Sequence, residues 1–225
     1  MNLFTAIALV VRKDLLLEWR TRARLNALLF FALSTLLLFS FALGPDTKLL
    51  QRHAPGYLWL ALLFASVLAL GESFSVEREN AALEGLRLLP VPAEALFLGK
   101  AFGMAVTLFV IAIVLVVAMA ALFAVHIPLG PGWLGLTLML GAMAIAAPGT
   151  LFAAMAAQTR ARDVMLPLML FPLLVPALLS LVRGTSLVMQ GDPMGELGSW
   201  LGLLSVFVLV YWSLGAVFFR WVIEE

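Results

Sequence analysis

The stretch Leu25–Leu43, LNALLFFALSTLLLFSFAL, decides the fold because it contains 19 consecutive residues without a charge. A helix rises 1.5 Å per residue, so this length crosses a bilayer hydrocarbon core of about 30 Å. Arg24 precedes the stretch and Gly44-Pro45-Asp46 follows it. The stretch therefore predicts a transmembrane helix that ends at Gly44.

The composition of the whole chain supports the same interpretation. Of 225 residues, 64% are hydrophobic and 12% are charged, with a mean hydropathy of +1.09. A soluble domain has about 25% charged residues, so we expect an integral membrane protein. The net charge of +1 gives no support for a nucleic-acid partner. The chain has no cysteine, which excludes disulfides, thiol chemistry and a cysteine-ligated metal.

Five further apolar segments are long enough to cross a bilayer, which predicts an all-α protein with six spans. They are Tyr57–Val76, Ala101–Val125, Trp133–Ala157, Val164–Val182 and Trp200–Phe219. We expect polar loops around Lys48, Arg52 and His53 and around Arg183, and an aromatic belt containing Tyr57 and Trp59. The chain, residues 1–225, is expected to form a single transmembrane permease domain.

Residues 1–24 predict a helix that lies in the membrane interface. An apolar stripe at helical spacing accompanies Arg12, Lys13 and Arg20 on the remaining surface. The stripe contains Leu3, Phe4, Ile7, Ala8, Val11, Leu15 and Trp19, with Trp19 expected at the depth of the lipid headgroups. Asp14 and Glu18 make a spanning helix unfavourable at this position.

The distribution of positive charge predicts the orientation of the chain. Six spans place both termini on one side, and that side holds 11 of the 14 Lys and Arg residues. The other side holds Lys48, Arg52 and Arg183. The positive-inside rule therefore predicts that both termini are cytoplasmic.

The segment Glu77–Lys100, ERENAALEGLRLLPVPAEALFLGK, is the long charged segment between spans two and three. Its leucines fall near the spacing of one helix face, and Pro90 and Pro92 end the predicted helix. We interpret residues 77–92 as a cytoplasmic helix that contacts a soluble partner. The alternative is an ordinary solvated loop.

Few residues predict chemistry. Neither G-x-x-x-x-G-K-[ST] nor G-x-G-x-x-G occurs in the sequence, so ATP hydrolysis is expected on another polypeptide and the chain itself is not expected to be an enzyme. No metal site is expected. Glu72 is an acid near the inner end of span two, where a buried charge is costly unless it has a role or reaches the interface.

Prolines inside two spans predict a hinge or a substrate path, because each one removes a backbone hydrogen bond. They are Pro148, Pro167, Pro172 and Pro176. The alternative is simple kinked packing. His53 and His126 are candidate heme ligands, although two isolated histidines are also typical of polar loops.

Four motifs resemble permeases of the ABC-2 class and, more narrowly, the B-subunit family of the heme exporter of cytochrome c maturation. They are FALGPD (residues 41–46), LLQRHAPGYLW (49–59), LALGESF (68–74) and FSVERENAALEGLRLLPVP (74–92). The family commonly has Asp-Gly-Ser or similar before Leu-Glu, whereas this chain has Asn80-Ala81-Ala82.

The resemblance implies a homodimeric membrane core in the bacterial inner membrane, driven by a separate cytoplasmic ABC ATPase that binds ATP. It also implies a heme-handling membrane subunit and a periplasmic heme chaperone as partners, with heme as substrate. The residues that it assigns to ATPase docking are Glu77, Glu79, Leu83, Glu84, Leu86, Pro90 and Pro92. The alternatives are an ABC-2 permease for a drug, lipid or polysaccharide, and a non-transporting scaffold that anchors an ATPase.

Overall fold

The computed structural model describes residues 3–20, 22–79, 92–125, 127–157, 159 and 161–224, with backbone only for residues 19, 74–79, 162, 223 and 224. Within these ranges the regular secondary structure is entirely helical. The helices are α1 (Leu3–Arg20), α2 (Arg22–Leu43), α3 (Thr47–Glu79), α4 (Ala93–Phe123), α5 (Pro131–Ala157), α6 (Arg162–Gln190) and α7 (Leu197–Glu224).

Six of these helices, α2 to α7, are long and apolar enough to cross a membrane. The prediction of an all-α membrane protein with six spans is therefore confirmed. We call the face that carries α1, the end of α3 and the start of α4 the terminal face. The opposite face, which carries residues 44–46, 124–125, 127–130 and 191–196, is the distal face.

Helix α3 starts earlier and helix α6 ends later than the apolar segments predict, because capping groups set these helix ends. Asp46 Oδ1 accepts hydrogen bonds from the backbone N–H groups of Lys48 and Leu49, at 3.0 and 3.1 Å. This side-chain cap starts α3 at Thr47. The expected polar loop is wrong, since Lys48, Arg52 and His53 all lie within α3.

The end of α6 shows the same effect. Gly191 adopts a left-handed conformation with φ 88°, and its N–H donates to the Leu187 carbonyl at 2.9 Å. This is a common helix stop, because glycine has no Cβ to oppose a positive φ. Arg183 is therefore helical, and its prediction as a loop residue is also wrong.

Helix α5 occupies the centre of the bundle and packs against α3, α4, α6 and α7. Gly141 of α5 allows this approach, since an added Cβ would overlap the ring of Trp59 from α3. Trp59 is fully buried and its Nε1–H donates to Thr185 Oγ1 of α6 at 2.9 Å. Trp59 therefore joins three helices inside the bundle, and its expected place in an aromatic belt is wrong.

The outer surface of the bundle is apolar. Large side chains such as Phe30 (75% exposed), Phe41 (78%) and Leu209 (68%) project away from the core. Exposed apolar surface of this extent is costly in water and favourable against lipid. The outer surface of the bundle thus suits a hydrocarbon surrounding.

Candidate functional site

The structure describes both flanks of the predicted docking segment. Helix α3 continues through Glu77 to Glu79, and α4 begins at Ala93 immediately after Pro92. The Pro92 carbonyl accepts the N–H of Ala95 at 2.9 Å, which starts the first turn of α4. Leu83, Glu84, Leu86 and Pro90 lie outside the described residues. Their docking role stays a prediction.

A group of charged and polar side chains from four helices lies next to these flanks on the terminal face. We call it the charged cluster. Its members are Asp14 and Glu18 of α1, Arg24 of α2, Glu72 of α3, and Lys100 and Thr107 of α4.

Arg24 is the central cation of the charged cluster. Its Nε lies 3.0 Å from Glu72 Oε2, and a terminal guanidinium nitrogen donates to the Ala69 carbonyl at 2.7 Å. The same Nε is 4.0 Å from Glu18 Oε1. The fixed fork of a guanidinium suits several acceptors at once. One side chain of α2 thereby ties α1 to the end of α3, and Glu72 is a paired acid.

Glu18 connects α1 to the middle of α4. Its Oε2 accepts a hydrogen bond from Thr107 Oγ1 at 3.1 Å, and only 14% of its side chain is exposed. Its other oxygen is buried and accepts no hydrogen bond from the described residues. The nearby charge of Arg24 compensates that oxygen electrostatically.

Lys100 is the most deeply buried charge of the cluster, with 3% of its side chain exposed. Its Nζ lies 3.9 Å from Asp14 Oδ2, and Asp14 Oδ1 lies 3.2 Å from Nζ of the more exposed Lys13. Removing an ammonium from water costs several kcal/mol unless a counter-charge lies close by. The carboxylate of Asp14 therefore anchors the start of α4 to α1.

Close backbone packing reinforces this anchor. Gly99 and Gly103 are four residues apart on the face of α4 that meets α1. A Cβ added at Gly99 would lie 2.6 Å from Val10 Cβ, and one at Gly103 would lie 3.5 Å from Asp14 Cβ. Small residues at this spacing let two helices approach closely in a membrane. Helix α1 is thus fastened to α4 by both packing and charge.

The predicted hinge prolines lie inside unbroken helices. Pro148 is buried in α5, and α6 continues through Pro167, Pro172 and Pro176. Pro172 and Pro176 lie on the exposed side of α6. Their role as a hinge or path stays a prediction.

Of the two candidate heme ligands, the structure describes only His53. The exposed ring of His53 lies 6.1 Å from that of Tyr57, which itself stacks on Phe39 at 4.5 Å. His126 lies outside the described residues. Within the described ranges no group of three or more His, Asp or Glu side chains could hold a metal ion.

Most members of the charged cluster were not selected from the sequence. The sequence identifies Glu72 as a costly charge and counts Arg24 among the positive residues of the cytoplasmic side, but it does not pair the two. The available signals were the four-residue spacing of Asp14 and Glu18 and the G-x-x-x-G spacing of Gly99 and Gly103. Both signals place their residues on one helix face, but neither identifies the opposing helix.

The bundle and its charged cluster define a polytopic α-helical membrane protein. The family model described as CcmB protein matches residues 5–220. This chain belongs to that family, which confirms the resemblance seen in its motifs.

Three relatives illustrate the similarity, and each is named heme exporter protein B. The one from Rhodobacter capsulatus is 36% identical over 186 residues, covering 81% of this chain and 82% of the relative. The one from Pseudomonas aeruginosa is 32% identical over 204 residues, with 89% coverage of both. The one from Bradyrhizobium diazoefficiens is 28% identical over 211 residues, with 94% coverage of both.

Proposed function

We propose that this chain is the membrane permease subunit of an ATP-driven heme exporter in c-type cytochrome biogenesis, acting in heme export or in release of the heme-loaded chaperone. The observation that carries the proposal is the family match over residues 5–220. The absence of a nucleotide-binding motif from the sequence agrees with ATP hydrolysis on a separate subunit.

The charged cluster supports a mechanism for coupling. Residues 77–92 dock on the cytoplasmic ATPase, and closure of the ATPase, a rigid-body motion, displaces them. The displacement reaches the membrane through α3 and α4, which flank the segment. Glu72 and Lys100 bind these two helices to Arg24 and Asp14, so α1 and α2 move with them.

The assembly that fits this mechanism is a homodimer of single permease domains with two copies of the ATPase in the bacterial inner membrane. The heme-handling membrane subunit lies beside it, and the heme chaperone acts on the periplasmic side. The excess of Lys and Arg on the terminal face supports cytoplasmic termini.

Deletion and complementation test the function. A strain without the gene should lose heme-stained c-type cytochromes, and the intact gene should restore them. Normal cytochromes in the deletion strain would contradict heme export and would favour an ABC-2 permease for another substrate.

Co-purification in mild detergent tests the docking segment. The wild-type chain should retain an ATPase with a Walker A sequence, and the double substitution Leu83→Glu/Leu86→Glu should lose it. The matched control is Leu83→Met/Leu86→Met, which keeps an apolar face and should retain the ATPase. Retention by the glutamate variant would refute the docking assignment. An ATPase that binds but is never stimulated by heme or by the heme chaperone would favour the scaffold alternative.

A further inference from the structure

A small cavity on the distal face has a composition that differs from the apolar bundle around it. It has a volume of about 220 Å³ and lies between the start of α3, the end of α6 and the chain that follows α4. Four polar side chains line it: Gln51 and Arg52 from α3, and Ser186 and Gln190 from α6. The cavity is therefore a polar recess at the end of two spans.

The hydrogen bonds of this recess leave it rich in donors. Gln51 Nε2 donates to the Ala124 carbonyl at 2.9 Å, which holds the chain after α4 against α3. Gln190 Nε2 donates to Ser186 Oγ at 2.8 Å, so the proton of that hydroxyl can be donated elsewhere. Each amide also keeps a second N–H. Together with the guanidinium of Arg52, these groups favour an acceptor as ligand.

Two carboxylates of the distal face accept hydrogen bonds from backbone groups. Asp46 caps the start of α3, and Asp192 accepts the N–H groups of Glu196 and Leu197 at 2.9 and 3.2 Å. Arg52 forms no ion pair with a carboxylate of the described ranges. Among the described side chains, none forms an ion pair that neutralises the charge of Arg52 in the recess.

The remaining walls are apolar. Pro55, Val125 and Met189 complete the lining. A volume of 220 Å³ is smaller than the usual range of about 300–1,000 Å³ for pockets that enclose a whole drug-sized ligand. The recess therefore has room for a charged group but not for a whole drug-sized ligand.

We propose that this recess binds a carboxylate or phosphate carried at the polar end of an amphipathic molecule, with Arg52 as the principal contact. Two sources share this chemistry: a propionate of heme, which rests on the function proposed above, and the headgroup of an anionic phospholipid. A guanidinium pairs with two oxygens of either group at once.

Binding titrations with the purified full-length chain in lipid nanodiscs test the proposal. The first probe is iron protoporphyrin IX, compared with its dimethyl ester, in which both propionates are neutral. The second is phosphatidylglycerol, compared with phosphatidylcholine, in nanodiscs of otherwise equal composition. The variants are Arg52→Gln and the matched control Arg183→Gln, since Arg183 is exposed on α6 outside the lining of the recess.

We expect Arg52→Gln to weaken binding of one anionic probe about tenfold, the effect of losing one charged hydrogen bond. Ser186→Ala should weaken it about threefold, and Arg183→Gln less than twofold. A propionate is identified if Arg52→Gln binds iron protoporphyrin IX more weakly than the wild type does and the wild type binds the dimethyl ester equally weakly. A loss confined to phosphatidylglycerol identifies a lipid headgroup.

Equal effects of Arg52→Gln and Arg183→Gln would overturn the proposal, because general surface charge would then explain the binding. Unchanged binding of both probes to Arg52→Gln would overturn it as well. These titrations need no ATPase and no cytochrome assay. Failure of the recess is thus distinguishable from failure of the proposed export function.

Discussion

Removing Asp14 and removing Lys100, the two members of one ion pair, should destabilise the protein by different amounts. Lys100 has 3% of its side chain exposed and Asp14 has 20%. Asp14→Asn removes the carboxylate that lies 3.9 Å from the buried ammonium. Lys100→Met removes the buried charge itself and leaves an aspartate that still contacts Lys13 at 3.2 Å. The aspartate substitution should therefore cost more stability than the lysine substitution.

The magnitude follows from the burial. Breaking a buried pair costs about 3–5 kcal/mol when the remaining charge stays buried. Because Asp14 is partly exposed and lies 3.9 Å from Lys100, Asp14→Asn should lower the free energy of unfolding by about 3 kcal/mol, the low end of this range. Lys100→Met should cost about 1 kcal/mol, since methionine fills the site without a charge to desolvate. The double variant should resemble Lys100→Met alone.

Thermal unfolding of the purified protein in detergent, followed by tryptophan fluorescence, measures the difference. At about 2–4 °C per kcal/mol for a chain of this size, Asp14→Asn should lower Tm by about 6–12 °C. The control is Lys13→Met, which removes the 41% exposed partner of the same aspartate and should change Tm by less than about 3 °C. Equal losses for Asp14→Asn and Lys100→Met, or a double variant as unstable as Asp14→Asn, would refute the reasoning.

Two further substitutions test the packing. Gly99→Ala places a Cβ 2.6 Å from that of Val10 and should lower the free energy of unfolding by about 1–3 kcal/mol. The control Gly198→Ala has open space around it and should have no such cost. Equal Tm values for the two variants would show that α1 does not pack closely on α4. Trp59→Phe leaves the buried Thr185 hydroxyl without its donor and should cost about 1–3 kcal/mol; an unchanged unfolding midpoint in denaturant would contradict the structural role of this hydrogen bond.

The spans were predictable because their cause is local. Each one is an apolar run long enough for the bilayer, and the run at residues 25–43 ends at the same leucine in sequence and structure. The helix ends were less predictable, since hydropathy measures preference for lipid and not continuity of the backbone. Lys48, Arg52, His53 and Arg183 are polar, yet they lie within helices whose ends are set by the caps at Asp46 and Gly191.

The charged cluster was not predictable from local patterns, because its contacts join distant parts of the chain. Glu18 and Thr107 are 89 residues apart in sequence, and Arg24 and Ala69 are 45 apart. A sequence shows that Asp14, Glu18 and Lys100 are costly near a membrane. It does not show which helices bring their partners, since that depends on how six apolar surfaces pack together.

The length of α3 has a consequence for where a soluble protein can bind. Arg52 and Glu72 are 20 residues apart, which is about 30 Å of helix and equals the thickness of the hydrocarbon core. The helix then continues for seven residues to Glu79, about 10 Å further. The zone of lipid phosphates on one side of a bilayer is about 5–8 Å deep. The backbone of α3 at Glu79 therefore extends past the lipid phosphates, where an incoming domain reaches this helix end without displacing a single lipid.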